Sequence, residues 1–170
     1  MKLKKIKLLI SADGSAASGK TTGAKLISKK YELKFLSSGL LYRYAAFLIL
    51  KFKPKNKFSF LKKKFSNLNS NTLDKFNLHS PQISEFSSII AKQKKLREIL
   101  KVYQRKFAKK NKRVCIEGRD IGTVILPTAD IKFFFTCNIN IAARRRYKEL
   151  KKKNLKIKFK EVKKAMIIRD

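Results

Sequence analysis

The sequence has few of the residues that build metal or disulfide sites. Its 170 residues include two cysteines, Cys115 and Cys137, and one histidine, His79. Two distant cysteines form neither a zinc-binding pattern nor a disulfide framework, and a single histidine excludes a multi-histidine metal centre. We therefore expect a protein of the reduced cytoplasm.

Long apolar runs are also lacking. Near the N-terminus the apolar residues stop at Asp13, short of the roughly 7 to 15 residues of a signal-peptide core. No stretch approaches the roughly 20 apolar residues of a membrane-spanning helix, so we expect no membrane contact. Hydrophobic residues still make up 44% of the chain, which predicts one globular domain.

Acidic residues are scarce, since 11 Asp and Glu stand against 44 Lys and Arg, giving a formal net charge of +33. A charge of this size is typical of proteins that bind polyanions. The lysines, however, are spread along the whole chain, which favours solvated helix faces over a single nucleic-acid patch. We therefore do not expect a nucleic acid as partner.

Strands and helices alternate along the sequence. Apolar segments predict four strands, at residues 6–12, 31–39, 113–118 and 131–137. Helical spacing is found over 19–31, 40–52, 80–110 and from about residue 140 onward, with the third helix either continuous or divided near Gln93. The tract 55–72 shows no regular pattern. This alternation predicts an α/β fold in which helices flank a parallel sheet.

The stretch "GSAASGKT" follows the first predicted strand and opens the first helix. It fits the phosphate-binding pattern G-x-x-x-x-G-K-[ST], in which backbone N–H groups surround a phosphate, the lysine reaches the β- and γ-oxygens and the hydroxyl holds Mg²⁺. The alternative, a turn of small residues, does not explain why Lys-Thr should begin the helix. The predicted ATP-binding residues are Gly14, Ser15, Ala16, Ala17, Ser18, Gly19, Lys20, Thr21 and Thr22.

Arginines follow two other strands. Ser38 stands at the end of the second predicted strand with Arg43 just beyond it, and Arg119 lies just beyond the third strand with Asp120. The carboxyl ends of parallel strands meet at the ligand crevice, so both arginines are expected to face the phosphate-binding loop. Arginine grips phosphate in a planar, bidentate way that lysine cannot.

These blocks resemble one family over nearly the whole chain. In order, "DGSAASGKTT", "LSSGLLYR", "LHSPQISEFSS", "KLREIL", "EGRDIGTVILPTADIKFFFTC" and "RRRYKEL" are similar to the bacterial cytidylate kinases, nucleoside monophosphate kinases of the P-loop NTPase class. The resemblance implies a three-layer P-loop fold. It also implies transfer of the γ-phosphate of ATP, with Mg²⁺, onto CMP or dCMP. We expect a monomer.

The resemblance also implies roles for individual residues. The phosphoryl-transfer residues would be Lys20, Arg119 and Arg169. The monophosphate would be bound by Ser38, Arg43 and Arg119, and the cytosine would be read by Ser88, Arg97 and Asp120. Thr21 would hold Mg²⁺, and Glu117 is a candidate to hold it through a water.

The chain departs from the family at several points. Ala17 stands where glycine is usual, which strains the backbone if φ is positive there. The family continues beyond Asp170 with a fifth strand, so we expect a truncated, four-stranded sheet. The expected parts are a core of residues 1–50 and 108–140, a shortened monophosphate-binding insert at about 51–107 and an incomplete lid at about 141–170.

Two hypotheses follow. The first is a cytidylate kinase, either complete in its activity or impaired by the missing C-terminal part. The alternative is a catalytically weak P-loop remnant that binds nucleotide or RNA through its basic surface, with a steep salt dependence.

Overall fold

The structure, a computed structural model, describes residues 6–152 and 157–169, with side chains up to residue 167. The strands are β1 (Leu8–Gly14), β2 (Lys34–Ser37), β3 (Arg113–Gly118) and β4 (Ile131–Phe135). The helices are α1 (Lys20–Lys30), α2 (Ser38–Phe52), α3 (Lys57–Ser66), α4 (Pro81–Ile90), α5 (Lys94–Lys110), α6 (Ile139–Lys151) and α7 (Phe159–Arg169). A 3-10 helix spans Ser70–Lys75, and a π-helical turn spans Ile121–Ile125.

The four strands form one parallel sheet in the order β2-β3-β1-β4. At its carboxyl edge Asp13 pairs with Gly118 and Ser37 pairs with Glu117, while Gly14 lies beside Phe135. The register therefore brings the ends of all four strands to one edge of the sheet. This confirms the predicted α/β fold with four parallel strands flanked by helices.

Helices cover both faces of the sheet, and this is why β1 and β3 are almost wholly buried. On one face Leu9, Val114 and Ile116 join the larger core, to which α2, α3, α4 and α5 contribute. On the other face Ile10 and Cys115 pack with Ala24 and Leu33, next to α1. Successive strand residues thus point to opposite cores, as the pleat requires.

Helix α3 lies in the tract where the sequence showed no regular pattern. Its apolar side is carried by Phe58, Leu61 and Phe65, spaced three and four residues apart, and the Asn56 side chain accepts a hydrogen bond from Ser59 N at 3.1 Å. Apolar residues at this spacing bury one helix face although lysines separate them. Further on, α4 and α5 are separate helices, and Gln93 occupies the N-cap of α5.

Strand β4 lies at one side of the sheet. It pairs with β1 and, among the described residues, with no further strand. Four of its five residues are exposed, and Phe134 keeps 72% of its surface in contact with solvent. Within residues 6–152 and 157–169, no helix has both the length and the apolar character needed to cross a membrane.

Candidate active site

The phosphate-binding loop joins β1 to α1 at the carboxyl edge of the sheet. The backbone turns at Gly19, whose φ of 90° suits glycine, and the next residue begins α1. Ala17 has a φ of 57°, so the alanine adopts the left-handed conformation that L-residues avoid. The positive φ that was expected to strain this position is therefore present.

The loop is arranged like an anion site at a helix start. Lys20 Nζ donates a hydrogen bond to Ser15 O at 2.9 Å, which holds the ammonium group against the loop. Thr21 and Thr22 follow as exposed residues of the first turn of α1. The N–H groups of a first helical turn have no partner within the helix, so they attract phosphate oxygens.

Glu117 connects this loop to the neighbouring strand. The residue is only 3% exposed; its carboxylate Oε2 accepts a hydrogen bond from Thr21 Oγ1 at 3.1 Å, and Oε1 accepts one from Ser37 Oγ at 2.5 Å. Ser37 also caps α2, because its hydroxyl accepts a hydrogen bond from Leu40 N at 3.3 Å. One buried carboxylate thus joins the ends of β2 and β3 to the start of α1.

The hydroxyl of Thr21 and the carboxylate of Glu117 form a donor set that suits Mg²⁺. Magnesium prefers oxygen ligands and is usually held by one or two protein groups together with waters and substrate phosphates. In the described part of the chain no three His, Cys, Asp or Glu side chains come together as metal ligands. An ion held by Thr21 and Glu117 would take its other ligands from phosphate and water.

The start of α2 lies beside the end of β3. Ser38 is buried, and a Cβ built on Gly118 would come within 3.2 Å of Ser38 Cβ. One turn further along α2, Arg43 Nη1 contacts His79 Nδ1 at 2.7 Å and donates to Leu78 O at 3.4 Å. A guanidinium has no acceptor, so the imidazole nitrogen must accept in the first of these contacts.

Arg97 of α5 and Asp120, two residues after β3, form an ion pair. Tyr42 of α2 lies close to the pair. Burial raises the pKa of the Tyr42 phenol, the positive charge of Arg97 opposes this shift, and the negative charge of Asp120 adds to it. Arg119, the residue before Asp120, is exposed. Helix α2, helix α5 and the segment after β3 therefore bring polar side chains together around the Arg97–Asp120 ion pair.

Two predicted site residues remain to be placed, one on α4 and one on α7. Ser88 is on α4, and its hydroxyl donates to Glu85 O at 2.6 Å, within the same helix rather than to the Arg97 ion pair. Arg169 is the final residue of α7, and its side chain lies outside the described residues.

The site contains three further residues, and the sequence patterns did not indicate any of them. Asp13 accepts hydrogen bonds from the backbone of the segment after β3, Tyr42 lies beside the Arg97 ion pair, and Arg145 of α6 lies over the loop, with Nη1 3.9 Å from the Cβ position of Gly19. The position of Asp13, an acidic residue at the end of an apolar strand, could have indicated it as a site residue. Arg145 has no such signal, because it stands within a run of three arginines.

The last two helices pack against the loop. Ala142 and Ala143 of α6 form a small core with Val162 and Met166 of α7, and Ala16 and Ala17 of the loop pack against this core. The basic pair α6 and α7 therefore lies directly on the segment that is expected to hold phosphate.

The strand, the loop with its Lys-Thr pair and the helix, set in a parallel sheet, define a nucleotide-binding protein of the P-loop class. Comparison with known families is more specific. The family model described as cytidylate kinase matches residues 10–170. The chain belongs to the cytidylate kinase family.

Curated relatives are similar in sequence to this chain over most of their own length. The cytidylate kinase of Bartonella tribocorum is 39% identical over 159 residues, which cover 91% of this chain and 72% of the relative. That of Thermosipho melanesiensis is 36% identical over 171 residues, 95% of this chain and 78% of the relative. That of Rickettsia bellii is 37% identical over 166 residues, which cover 95% of this chain and 74% of the relative. The chain is accordingly an enzyme, a kinase that phosphorylates nucleoside monophosphates.

Proposed function

We propose that the protein transfers the γ-phosphoryl group of ATP to CMP or dCMP and forms CDP or dCDP. The observation that carries this proposal is the Glu117 carboxylate, which accepts hydrogen bonds from both Thr21 of the phosphate-binding loop and Ser37 at the start of α2. A donor nucleotide on the loop and an acceptor at the start of α2 would be held against the same rigid sheet edge. Phosphoryl transfer depends mainly on such positioning and on neutralising charge.

On the donor side, the ATP phosphates would lie in the loop of residues 14–22, with its backbone N–H groups and Lys20 around them. Thr21 would hold Mg²⁺ directly, and Glu117 would hold it through a water. When bound, Mg²⁺ neutralises charge on the β- and γ-phosphates. Lys20 contributes a second positive charge at the same oxygens, and its contact with Ser15 O keeps that charge at the loop.

On the acceptor side, Arg43 and Arg119 would bind the phosphate of the monophosphate, with Ser38 beside them. His79 accepts one N–H of Arg43, which orients the guanidinium. Arg119, Lys20 and Arg169 would stabilise the charge that is spread over the transferred group in the transition state.

The base would be recognised by the Arg97–Asp120 pair together with Ser88. The amino group at N4 of cytosine can donate a hydrogen bond to a carboxylate. The acceptor atoms N3 and O2 of cytosine can accept hydrogen bonds from a guanidinium. Uracil presents an acceptor oxygen in place of that amino group, so Asp120 would repel it. This chemistry favours CMP and dCMP over UMP.

The proposed parts follow the same boundaries as those expected from sequence. Residues 1–50 and 108–140 would form the nucleotide-binding core, residues 51–107 the monophosphate-binding insert and residues 141–170 the lid. Helices α6 and α7 would limit the access of water to the loop, because they pack on Ala16 and Ala17. We propose a monomer.

The test is a coupled assay of ADP release, with ATP and each of CMP, dCMP, UMP, AMP and dTMP. We expect the highest kcat/KM for CMP or dCMP and loss of activity when Mg²⁺ is chelated. Lys20→Ala should abolish turnover while the circular dichroism spectrum is unchanged. Lys29→Ala, at the exposed end of the same helix, is the matched control and should leave turnover intact. A preference for AMP, UMP or dTMP would refute the proposed substrate.

A further inference from the structure

Asp13 makes a contact that links the two halves of the site. The residue is 7% exposed; its carboxylate Oδ1 accepts a hydrogen bond from Ile121 N and Oδ2 accepts one from Gly122 N, each at 2.7 Å. Both bonds are charge-assisted, and they join residues more than 100 positions apart. In the described part of the chain no cation forms an ion pair with Asp13, and each of its two carboxylate oxygens accepts one of these backbone N–H groups.

The segment that Asp13 holds is the π-helical turn after β3, and its other end is also fixed. Arg105 of α5 donates from Nε to Ile125 O at 3.1 Å and from Nη2 to Val124 O at 2.9 Å. The turn also lies tightly against β1, because a Cβ on Gly122 would come within 2.6 Å of Ser11 Oγ. An anion at one end and a cation at the other thus hold this turn in one place.

The turn begins directly after Arg119 and Asp120. Since Asp13 fixes Ile121 N and Gly122 N, it also fixes where the two preceding residues leave the sheet. The backbone of Asp13 leads into Gly14, the first residue of the phosphate-binding loop. We infer that Asp13 is a positioning residue, which sets the distance between the Arg119–Asp120 pair and the loop. This inference rests on the proposed function, because it takes that pair as part of the acceptor site.

The experiment measures KM for ATP, KM for CMP, kcat and Tm in the full chain carrying Asp13→Asn. An asparagine keeps one acceptor oxygen but directs an amide N–H toward a backbone N–H, so one end of the segment is released. We expect KM for CMP to rise about tenfold, or about 1.4 kcal/mol of binding free energy, while KM for ATP changes less than about twofold.

Asp130→Asn is the matched control. The Asp130 carboxylate also accepts a backbone N–H of β1, from Leu9 at 2.7 Å, but at the opposite end of the strand. A similar loss of a charge-assisted bond is therefore made far from the site. We expect a smaller loss in Tm, because Asp130 is exposed and accepts one such bond where the buried Asp13 accepts two, and no change in either KM. If both variants shift the two KM values alike, Asp13 is merely structural and the inference fails.

Arg105→Met provides a second test that does not depend on a buried residue. Arg105 is exposed, so we expect the fold to survive its loss while the same turn is released from its other end. We expect KM for CMP to rise about threefold with KM for ATP unchanged. An unchanged ratio of the two KM values in this variant would overturn the inference even if Asp13→Asn failed to fold. If the wild-type chain phosphorylates no monophosphate, it is the proposed function that fails instead.

Discussion

Replacing Gly14 by alanine should damage the sheet and the loop together. Gly14 is the last residue of β1, with a φ of 152°, and a Cβ placed there would lie 2.4 Å from the backbone oxygen of Phe135 on β4. A relaxed contact between carbon and oxygen is about 3.3 Å or more. The obstructing atom is backbone, so a change of side-chain rotamer cannot relieve the clash. The two strands must move apart.

The cost follows from two terms. Overpacking of a rigid contact costs about 1 to 3 kcal/mol, and a positive φ for alanine adds about 1 to 2 kcal/mol. We take about 3 kcal/mol as the loss in the free energy of unfolding. For a chain of this length each kcal/mol lowers Tm by about 2 to 4 °C, so Gly14→Ala should melt about 6 to 12 °C below the wild type.

Gly39→Ala makes the same chemical change and should have the opposite effect. Gly39 is exposed in the first turn of α2, and the nearest atom to its Cβ position is Ser37 Oγ at 3.7 Å, an ordinary contact. Alanine in a helix is favoured over glycine by about 0.5 to 1 kcal/mol. Thermal melts followed by circular dichroism compare the two variants. If Gly14→Ala melts within 2 °C of the wild type, or if both variants shift Tm in the same direction, the clash argument is wrong.

Three other predictions follow from burial and charge. Arg97→Ala should change the free energy of unfolding by less than about 1 kcal/mol, because the side chain is 45% exposed, yet raise KM for CMP at least about tenfold. An unchanged KM for CMP, or a larger loss of stability, would contradict this. Burial raises the pKa of the Cys115 thiol, so iodoacetamide at pH 8 should alkylate the half-buried Cys137 first and reach Cys115 only in denaturant, as peptide mass mapping would show. Leu100→Ala should cost about 2 to 5 kcal/mol in a urea melt, whereas Val102→Ala, on the exposed side of α5, should cost less than about 0.5 kcal/mol.

The local features of the fold could be predicted from the sequence. The sequence predicts strand β3 at residues 113–118, because its apolar residues are contiguous and bounded by polar ones, and the structure has Arg113–Gly118. The phosphate-binding loop was predictable for a related reason. Its spacing, its preceding strand and its following helix all lie within about 25 residues of each other.

Features that depend on distant contacts could not be found in this way. The apolar side of α3 is interrupted by lysines, and its amphipathic pattern becomes clear only when Leu61 and Phe65 meet the core. The contact between Arg43 and His79 joins residues 36 positions apart, and the bonds from Ile121 and Gly122 to Asp13 span more than 100. No local pattern encodes such pairs, since the parallel topology alone brings them together.

The exposed strand β4 and the net charge of +33 act against each other in solution. Among the described residues β4 pairs with β1 alone, and a strand with one neighbour and a solvent-facing Phe134 favours pairing between molecules, which Lys132 opposes only locally. Repulsion between highly charged molecules keeps those edges apart at low ionic strength, but salt shortens its range to about 10 Å at 0.1 M and about 3 Å at 1 M. The protein should therefore be most dispersed in dilute buffer and should associate as salt is added, the reverse of what is expected for a complex held by its charges.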